Sequence, residues 1–183
     1  MKKLVLATLL RQRSVKPIFL ALILGTIFIL DPSASKADND EGVIKHADNN
    51  QFTFPRWKNL HKLNTVALPS ADHNAWFDIY VNAIAKKAYL EKLSLLPVGS
   101  IILKPLYPDE QRSETAKLTI MLKMEKDYDT QHGDWWYGVY DETGMEGYNQ
   151  GKIQACIKCH AKAKETDYMF SEIMMESINE EEW

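Results

Sequence analysis

The sequence predicts an α+β fold in which an antiparallel β-sheet carries flanking helices. Two periodicities and the punctuation between them support this. Residues 100–104, 117–124 and 135–141 alternate with period two, whereas residues 83–96 repeat their apolar side chains at helical spacing. Pro97 and Gly99 separate the helical stretch from the first strand, and Asp141-Glu142-Thr143-Gly144 has turn composition. A chain of 183 residues, 45% hydrophobic and 26% charged, can bury one sizeable core. Its 8 glycines and 7 prolines follow no repeat, which excludes collagen-like, low-complexity and solenoid architectures.

The first 37 residues have the organisation of a signal peptide. Basic residues from Lys2 to Lys16 precede an apolar run from Ile18 to Leu30, and Ser35-Lys36-Ala37 offers the small residues of a cleavage site. The apolar run is shorter than a spanning helix needs, so cleavage near Ala37 and delivery to the periplasm or exterior are expected. The whole chain has 22 basic and 25 acidic side chains; removing the leader takes six bases and one acid, leaving 16 and 24, a balance of −8. So acidic a domain is a poor partner for nucleic acid and suits a redox partner protein with a basic surface. Residues 38–51 are polar and form a flexible lead-in, and residues 52–183 form the domain proper.

Within the domain, residues 54–63 are expected to form a short helix with Trp57 and Leu60 on one side, and residues 76–81 a strand rich in aromatic and β-branched side chains. Asn82 caps the next helix, where Ala85, Tyr89, Leu93 and Leu96 make the apolar stripe and Lys87 and Glu91 pair across one turn. In the strands, Ile101 and Leu103 share a face, as do Leu118, Ile120, Leu122 and Met124, with Thr119, Met121 and Lys123 opposite. Residues 127–134, with Gly133, turn the chain back into the aromatic strand at 135–141. Residues 168–179 are expected to form a last helix packed through Phe170, Ile173 and Met174.

Only 2 cysteines are present, and they stand in the segment Cys156-Ile157-Lys158-Cys159-His160. Covalent haem attachment needs two thiols spaced to reach both vinyl groups of one porphyrin and an imidazole that falls beneath the iron, and this pentapeptide supplies that set. The reading is one covalently bound haem c, with Cys156 and Cys159 as anchors and His160 as the axial iron ligand. A thioredoxin-like pair would sit early in a strand–helix unit, and zinc would need two further ligands that His46, His61, His73 and His132 do not supply at ligand spacing. A haem-free zinc or thiol-redox module is therefore the weakest alternative. A small cytochrome c carries its motif near the N-terminus, and a helical-bundle cytochrome c′ has no place for three period-two segments. An antiparallel sheet with flanking helices packed on the haem fits better.

The chain resembles the cytochrome P-460 family, including the related cytochromes c′-beta, from about Trp57 to about Phe170. The resemblance rests on Trp57-Lys58-Asn59-Leu60, Asp78-Ile79-Tyr80-Val81-Asn82, the stretch Pro97-Val98-Gly99-Ser100-Ile101-Ile102-Leu103-Lys104, Gly133-Asp134-Trp135-Trp136-Tyr137-Gly138, the haem motif, and Asp167-Tyr168-Met169-Phe170. It implies a sheet against one haem face and a five-coordinate iron open to a small nitrogen-containing ligand. Members that oxidise hydroxylamine bond a lysine to the porphyrin edge; c′-beta members bind nitric oxide or transfer electrons without that bond. Lys104 and Lys123 are the strand lysines in the matched region and so the candidates for a crosslink, although by alternation both fall opposite the apolar face and default to solvent. Asp141, Glu142 and Glu146 are candidate proton acceptors, set against the ordinary acidity of turns. Trp135, Trp136, Tyr137 and Tyr140 can wall the pocket or fill the core. Met169, Met174 and Met175 are better suited to packing than to serving as a sixth ligand, Met169 being too near His160 in sequence to cross the haem. An oxidoreductase acting on hydroxylamine and a non-enzymatic nitric-oxide binder or electron carrier both stay open, and a homodimer is compatible with the sequence.

Overall fold

The computed structural model describes residues 43–46 and 50–170, and the signal peptide and the helix expected at 168–179 lie wholly or mostly outside them. The polar lead-in is not featureless: β1 (Ile44–His46) pairs antiparallel with β2 (Gln51–Thr53). The helix expected at 54–63 reduces to one 3-10 turn, Trp57–Asn59, followed by β3 (His61–Lys62). Tertiary contacts override the local spacing there. Phe54 N–H donates to the Gly144 carbonyl at 2.7 Å, and the Trp57 indole N–H donates to the Glu142 carbonyl at 3.1 Å. Gly144 sits at φ +76, and a Cβ there would lie 2.5 Å from the Phe54 carbonyl oxygen, so the approach requires glycine.

Edge strand β4 (Leu68–Ser70) pairs with β5 (Ala75–Phe77), and β6 (Tyr80–Val81) follows after a break. The strand expected at 76–81 is thus two strands on one partner, β7 (Ile101–Tyr107). The register is unshifted across the break, since Phe77 faces Leu106 and Tyr80 faces Leu103. Continued inward, that register sets Asp78 opposite Pro105, which has no N–H to complete the rung.

Between β6 and β7 lies α1 (Ala83–Leu90), capped by the Asn82 side chain, which accepts from Ala85 N–H at 3.0 Å. The helix ends six residues before the apolar stripe does. Lys92 takes a left-handed φ of 53, Lys92 N–H returns to the Tyr89 carbonyl at 3.1 Å and Leu93 N–H to Ala88 at 3.0 Å, the paired bonds of a Schellman terminus. Lys87 and Glu91 pair at 3.8 Å as their spacing predicts.

β8 (Lys117–Lys123), β9 (Trp135–Tyr140) and β10 (Gly147–Gly151) complete an antiparallel sheet of eight strands, in the order β10-β9-β8-β7-β5-β4 with β6 also on β7 and β3 on β6. β10 escapes sequence reading because Gly-Tyr-Asn-Gln-Gly has no apolar alternation. With α2 (Gln154–His160), the architecture is α+β. No helix among the described residues is long and apolar enough to cross a membrane.

Both faces of the central strands are covered. One carries Ile101, Leu103, Leu118, Ile120, Leu122, Trp136 and Tyr140 against Phe52, Phe54, Trp57 and Leu60. A leucine as fully enclosed as Leu118 contributes about 2 kcal/mol through the area it removes from water. Trp136 and Tyr140 fold over Gly138, where a Cβ would meet their rings at 2.7 and 2.6 Å. The other face packs Ile102, Met121, Trp135 and Tyr137 against α1 and α2 through Ala85, Ala88, Tyr89 and Ile157. On this second face the packing opens into cavities.

Candidate functional site

α2 brings the cysteine–histidine segment onto the second face of the sheet. Ile157 is buried against the core, while Cys156, Cys159 and His160, at positions i, i+3 and i+4, share the neighbouring helix face and line a cavity of about 400 Å³. Two cross-strand rows form the opposite wall. Ile102, Met121 and Tyr137 are register partners across β7, β8 and β9, and so are Lys104, Thr119 and Val139. A second cavity of about 400 Å³ adjoins the first, shares Asp72, His73, Lys104, Cys159 and His160 with it, and extends to Leu68, Phe77 and Phe170.

His160 is held in one tautomer. Its Nδ1 lies 2.7 Å from the Tyr168 carbonyl oxygen, which can only accept, so Nδ1 carries the proton and Nε2 keeps its lone pair. The ring sits between Tyr137 at 5.5 Å and Phe170 at 5.3 Å between centroids. Burial pushes its pKa down to about 4, against the opposing pull of the Tyr168 carbonyl, so the imidazole is neutral at ordinary pH. A neutral ring with a free Nε2 is the form that ligates iron. The cysteines are unbridged. Burial raises the Cys156 pKa, with Cys159 adding to the effect, the opposite of the lowered value that activates a redox thiol.

The two candidate lysines part company here, and neither is the solvent-facing residue that alternation predicts. The reason is common to both: the face opposite Leu122 and Leu103 is covered too. Lys104 lines both cavities, with Nζ 4.8 Å from the Phe77 ring centroid and no ion-pair partner among the described residues. Burial pushes its pKa down to about 8, Cys159 opposing, so the neutral, nucleophilic amine is a minor form at pH 7 but far more populated than in an ordinary lysine. Lys123 instead bonds both oxygens of the Asp167 carboxylate at 2.6 and 2.9 Å and lines neither cavity.

Asp141, Glu142 and Glu146 also lie away from the cavities. Asp141 Oδ1 accepts from Met145 and Glu146 N–H at 3.0 Å each, a turn network, and Glu142 and Glu146 are exposed. Lys117, at the start of β8, and Asp72 and His73, on the turn between β4 and β5, are the exposed titratable residues lining the cavities. Burial lowers the His73 pKa, reinforced by Lys104 and Lys117. Sequence reading missed Asp72 and His73 because a polar Ser-Ala-Asp-His-Asn turn has no local mark distinguishing it from any other. Of the aromatic candidates, Tyr137 lines a cavity, whereas Trp136 and Tyr140 belong to the opposite core and Trp135 packs beneath Lys123. Met169 is buried in the core and lines neither cavity; Met174 and Met175 lie outside the described residues.

A haem is flat and mostly apolar with polar edges, and the site suits one. Its sheet wall is mostly apolar, with Lys104, Lys117, Thr119 and Asn149 the polar members, and both thiols and the imidazole line it from α2. Tyr137 lines the same cavity, and its buried hydroxyl has no hydrogen-bond partner within the protein. A buried orphan of that kind is satisfied when a polar group of a bound molecule meets it. Among the described residues, no cluster of three His, Cys, Asp or Glu side chains forms an alternative metal site. The family model described as Cytochrome P460 matches residues 54–171. Comparison with curated proteins finds no match.

Proposed function

The chain belongs to the cytochrome P460 family, a family that binds haem c, and from that premise we propose an exported protein that binds or oxidises a small nitrogen species, hydroxylamine or nitric oxide, at a five-coordinate iron. The observation that carries the proposal is the His160 tautomer: a proton fixed on Nδ1 by the Tyr168 carbonyl and a free Nε2 beside two unbridged thiols. Cys156 and Cys159 would anchor the porphyrin through thioethers and His160 would ligate the iron. A bound haem would supply a redox-active metal. Tyr137 and Phe170 flank the imidazole and keep it from turning, and Ile102, Met121 and Val139 give the cavity its apolar sheet wall. Oxidation of hydroxylamine releases protons, and Asp72 and His73 at the rim are the groups that can receive them. Electrons leave to an external partner protein.

Lys104 favours the enzymatic form of the reading, because a desolvated amine facing the haem cavity is the group a porphyrin crosslink requires. Among the described residues the one carboxylate lining the cavities, Asp72, is exposed, as is the second histidine, His73, which favours the second form, a nitric-oxide binder or electron carrier without that bond. The raised Cys156 pKa argues against a thiol-redox module.

One preparation tests these readings. Protein from a host with intact cytochrome maturation is reduced with dithionite and its optical spectrum recorded; a colourless, haem-free product sinks the proposal. A ferrous Soret band displaced far to the red, a tryptic peptide joining Lys104 to haem, and hydroxylamine turnover establish the enzyme. An ordinary haem c spectrum with nitric-oxide binding and no turnover establishes the binder.

A further inference from the structure

The imidazole of His160 is oriented by a carbonyl that lies in an unusual turn. Asp167 and Tyr168 are consecutive non-glycine residues with left-handed φ values of 54 and 65, a conformation that side chains with a Cβ avoid unless their surroundings impose it. Those surroundings come from the sheet. The Asp167 carboxylate accepts two bonds from Lys123 Nζ, at 2.6 and 2.9 Å, and one from Leu96 N–H at 2.9 Å. The Asp167 carbonyl accepts from the Trp135 indole N–H at 2.9 Å, and the Tyr168 hydroxyl donates to the Gln131 carbonyl at 2.9 Å. Lys123 and Trp135 are direct cross-strand partners on β8 and β9, one row beyond the Ile102, Met121 and Tyr137 row that walls the cavity, and Lys123 Nζ lies 4.8 Å from the Trp135 ring centroid.

We propose that Lys123 and Asp167 are a positioning pair for the proximal histidine: by fixing the Asp167–Tyr168 turn to the sheet they set the direction and strength of the Nδ1 hydrogen bond, and through it the basicity of Nε2. Neither side chain lines a cavity. The Asp167 side chain is 2% exposed and the lysine 12%, so the contact is shielded from solvent and from screening by salt. A hydrogen bond at the non-ligating nitrogen of a metal-bound histidine gives the ring partial imidazolate character, which strengthens the bond to iron and stabilises the oxidised state. One strand face therefore both walls the cavity and aims the ligand beneath it. This inference rests on His160 being the axial ligand.

The test uses the haem-loaded protein and two readouts independent of turnover, the iron–histidine stretching band of the ferrous form by resonance Raman and the reduction potential. Asp167→Asn keeps an acceptor for Leu96 N–H and suits a left-handed position, so it folds while losing the charge that holds Lys123. Lys123→Met breaks the pair from the other side, and Lys123→Arg preserves the charge. Arg112→Met is the control, since it opens a buried ion pair with Asp78 that lines neither cavity. The expected result is a downward shift of the band and an upward shift of the potential in Asp167→Asn and Lys123→Met, parental values in Lys123→Arg, and a lower melting temperature with an unmoved band and potential in Arg112→Met. Unchanged values in both uncharged variants overturn the inference while leaving the haem reading intact, as do equal shifts in Arg112→Met. A parent without haem overturns both together.

Discussion

Among the described residues, Lys104 carries an amine into a cavity without an ion-pair partner, and Lys123 carries one to a carboxylate with no other ion-pair partner. Opposite consequences follow from the same substitution. With the amine unbonded to haem, Lys104→Met removes a desolvated charge at nearly constant volume and raises stability by about 1–2 kcal/mol. Lys123→Met strands Asp167 and lowers stability by about 3 kcal/mol, the cost of leaving one member of a buried pair alone. Urea unfolding of the two variants beside the parent measures both signs. Cys156, Cys159 and His160 were legible in the sequence as a candidate site because haem attachment would need them adjacent: two thiols and an imidazole within five positions have few other uses. Asp72 and His73 were not, since they reach the rim only when the β4–β5 turn folds across Cys159, whose Sγ lies 4.0 Å from Asp72 Oδ2.

At the scale of elements, Asn82 joins three of them. Its Oδ1 accepts from Ala85 N–H at 3.0 Å and Ile101 N–H at 3.1 Å, and its Nδ2 donates to the Gly99 carbonyl at 2.8 Å, tying the start of α1 to the entry of β7. The residue is 2% exposed, so water cannot replace it. Asn82→Ala should cost about 2–3 kcal/mol, a lost cap together with a buried N–H left without an acceptor, and Asn82→Asp should cost less because it keeps both accepted bonds. Thermal melting of the pair decides. The capping role is written in the sequence and the bridge to β7 is not. The end of α1 shows the converse: the apolar stripe continues to Leu96, but the chain leaves the helix at Lys92 because the Schellman bonds release Leu96 to reach Asp167.

The molecule as a whole is fastened at Asp78. Its carboxylate, 1% exposed, receives Lys62 at 2.8 Å, two nitrogens of Arg112 at 2.8 Å, the Tyr107 hydroxyl at 3.0 Å and Asn64 at 2.9 Å, so β3, the β5–β6 break, the end of β7 and the following loop meet at one anion. Burial alone would raise its pKa, but the bonds from Arg112, Lys62 and Tyr107 prevail and hold it below the ordinary carboxylate value. A carboxyl depressed in the fold binds fewer protons there than in the unfolded chain. Its stabilisation is fully present above about pH 4 and disappears as pH falls through the depressed value. Arg112→Met should therefore lower stability by about 2 kcal/mol at neutral pH and move acid unfolding to higher pH, with the difference from the parent shrinking in strong acid. Circular dichroism across a pH series follows it; a difference as large in strong acid as at neutral pH would refute the assignment.

Periodicity, capping and motif spacing are local properties of the chain, and they sufficed for the α+β class, the central strands β7, β8 and β9, the start of α1 and the choice of the Cys156-to-His160 segment as the candidate site. That both faces of the sheet are covered emerges only when the chain has folded. A period-two pattern says which residues share a face but not what lies against it, and so it could not distinguish a lysine in solvent from one in a cavity or one in a buried ion pair. Lys104 and Lys123 read alike in the chain, and their neighbours across the fold, Phe77 and Asp167, make them different.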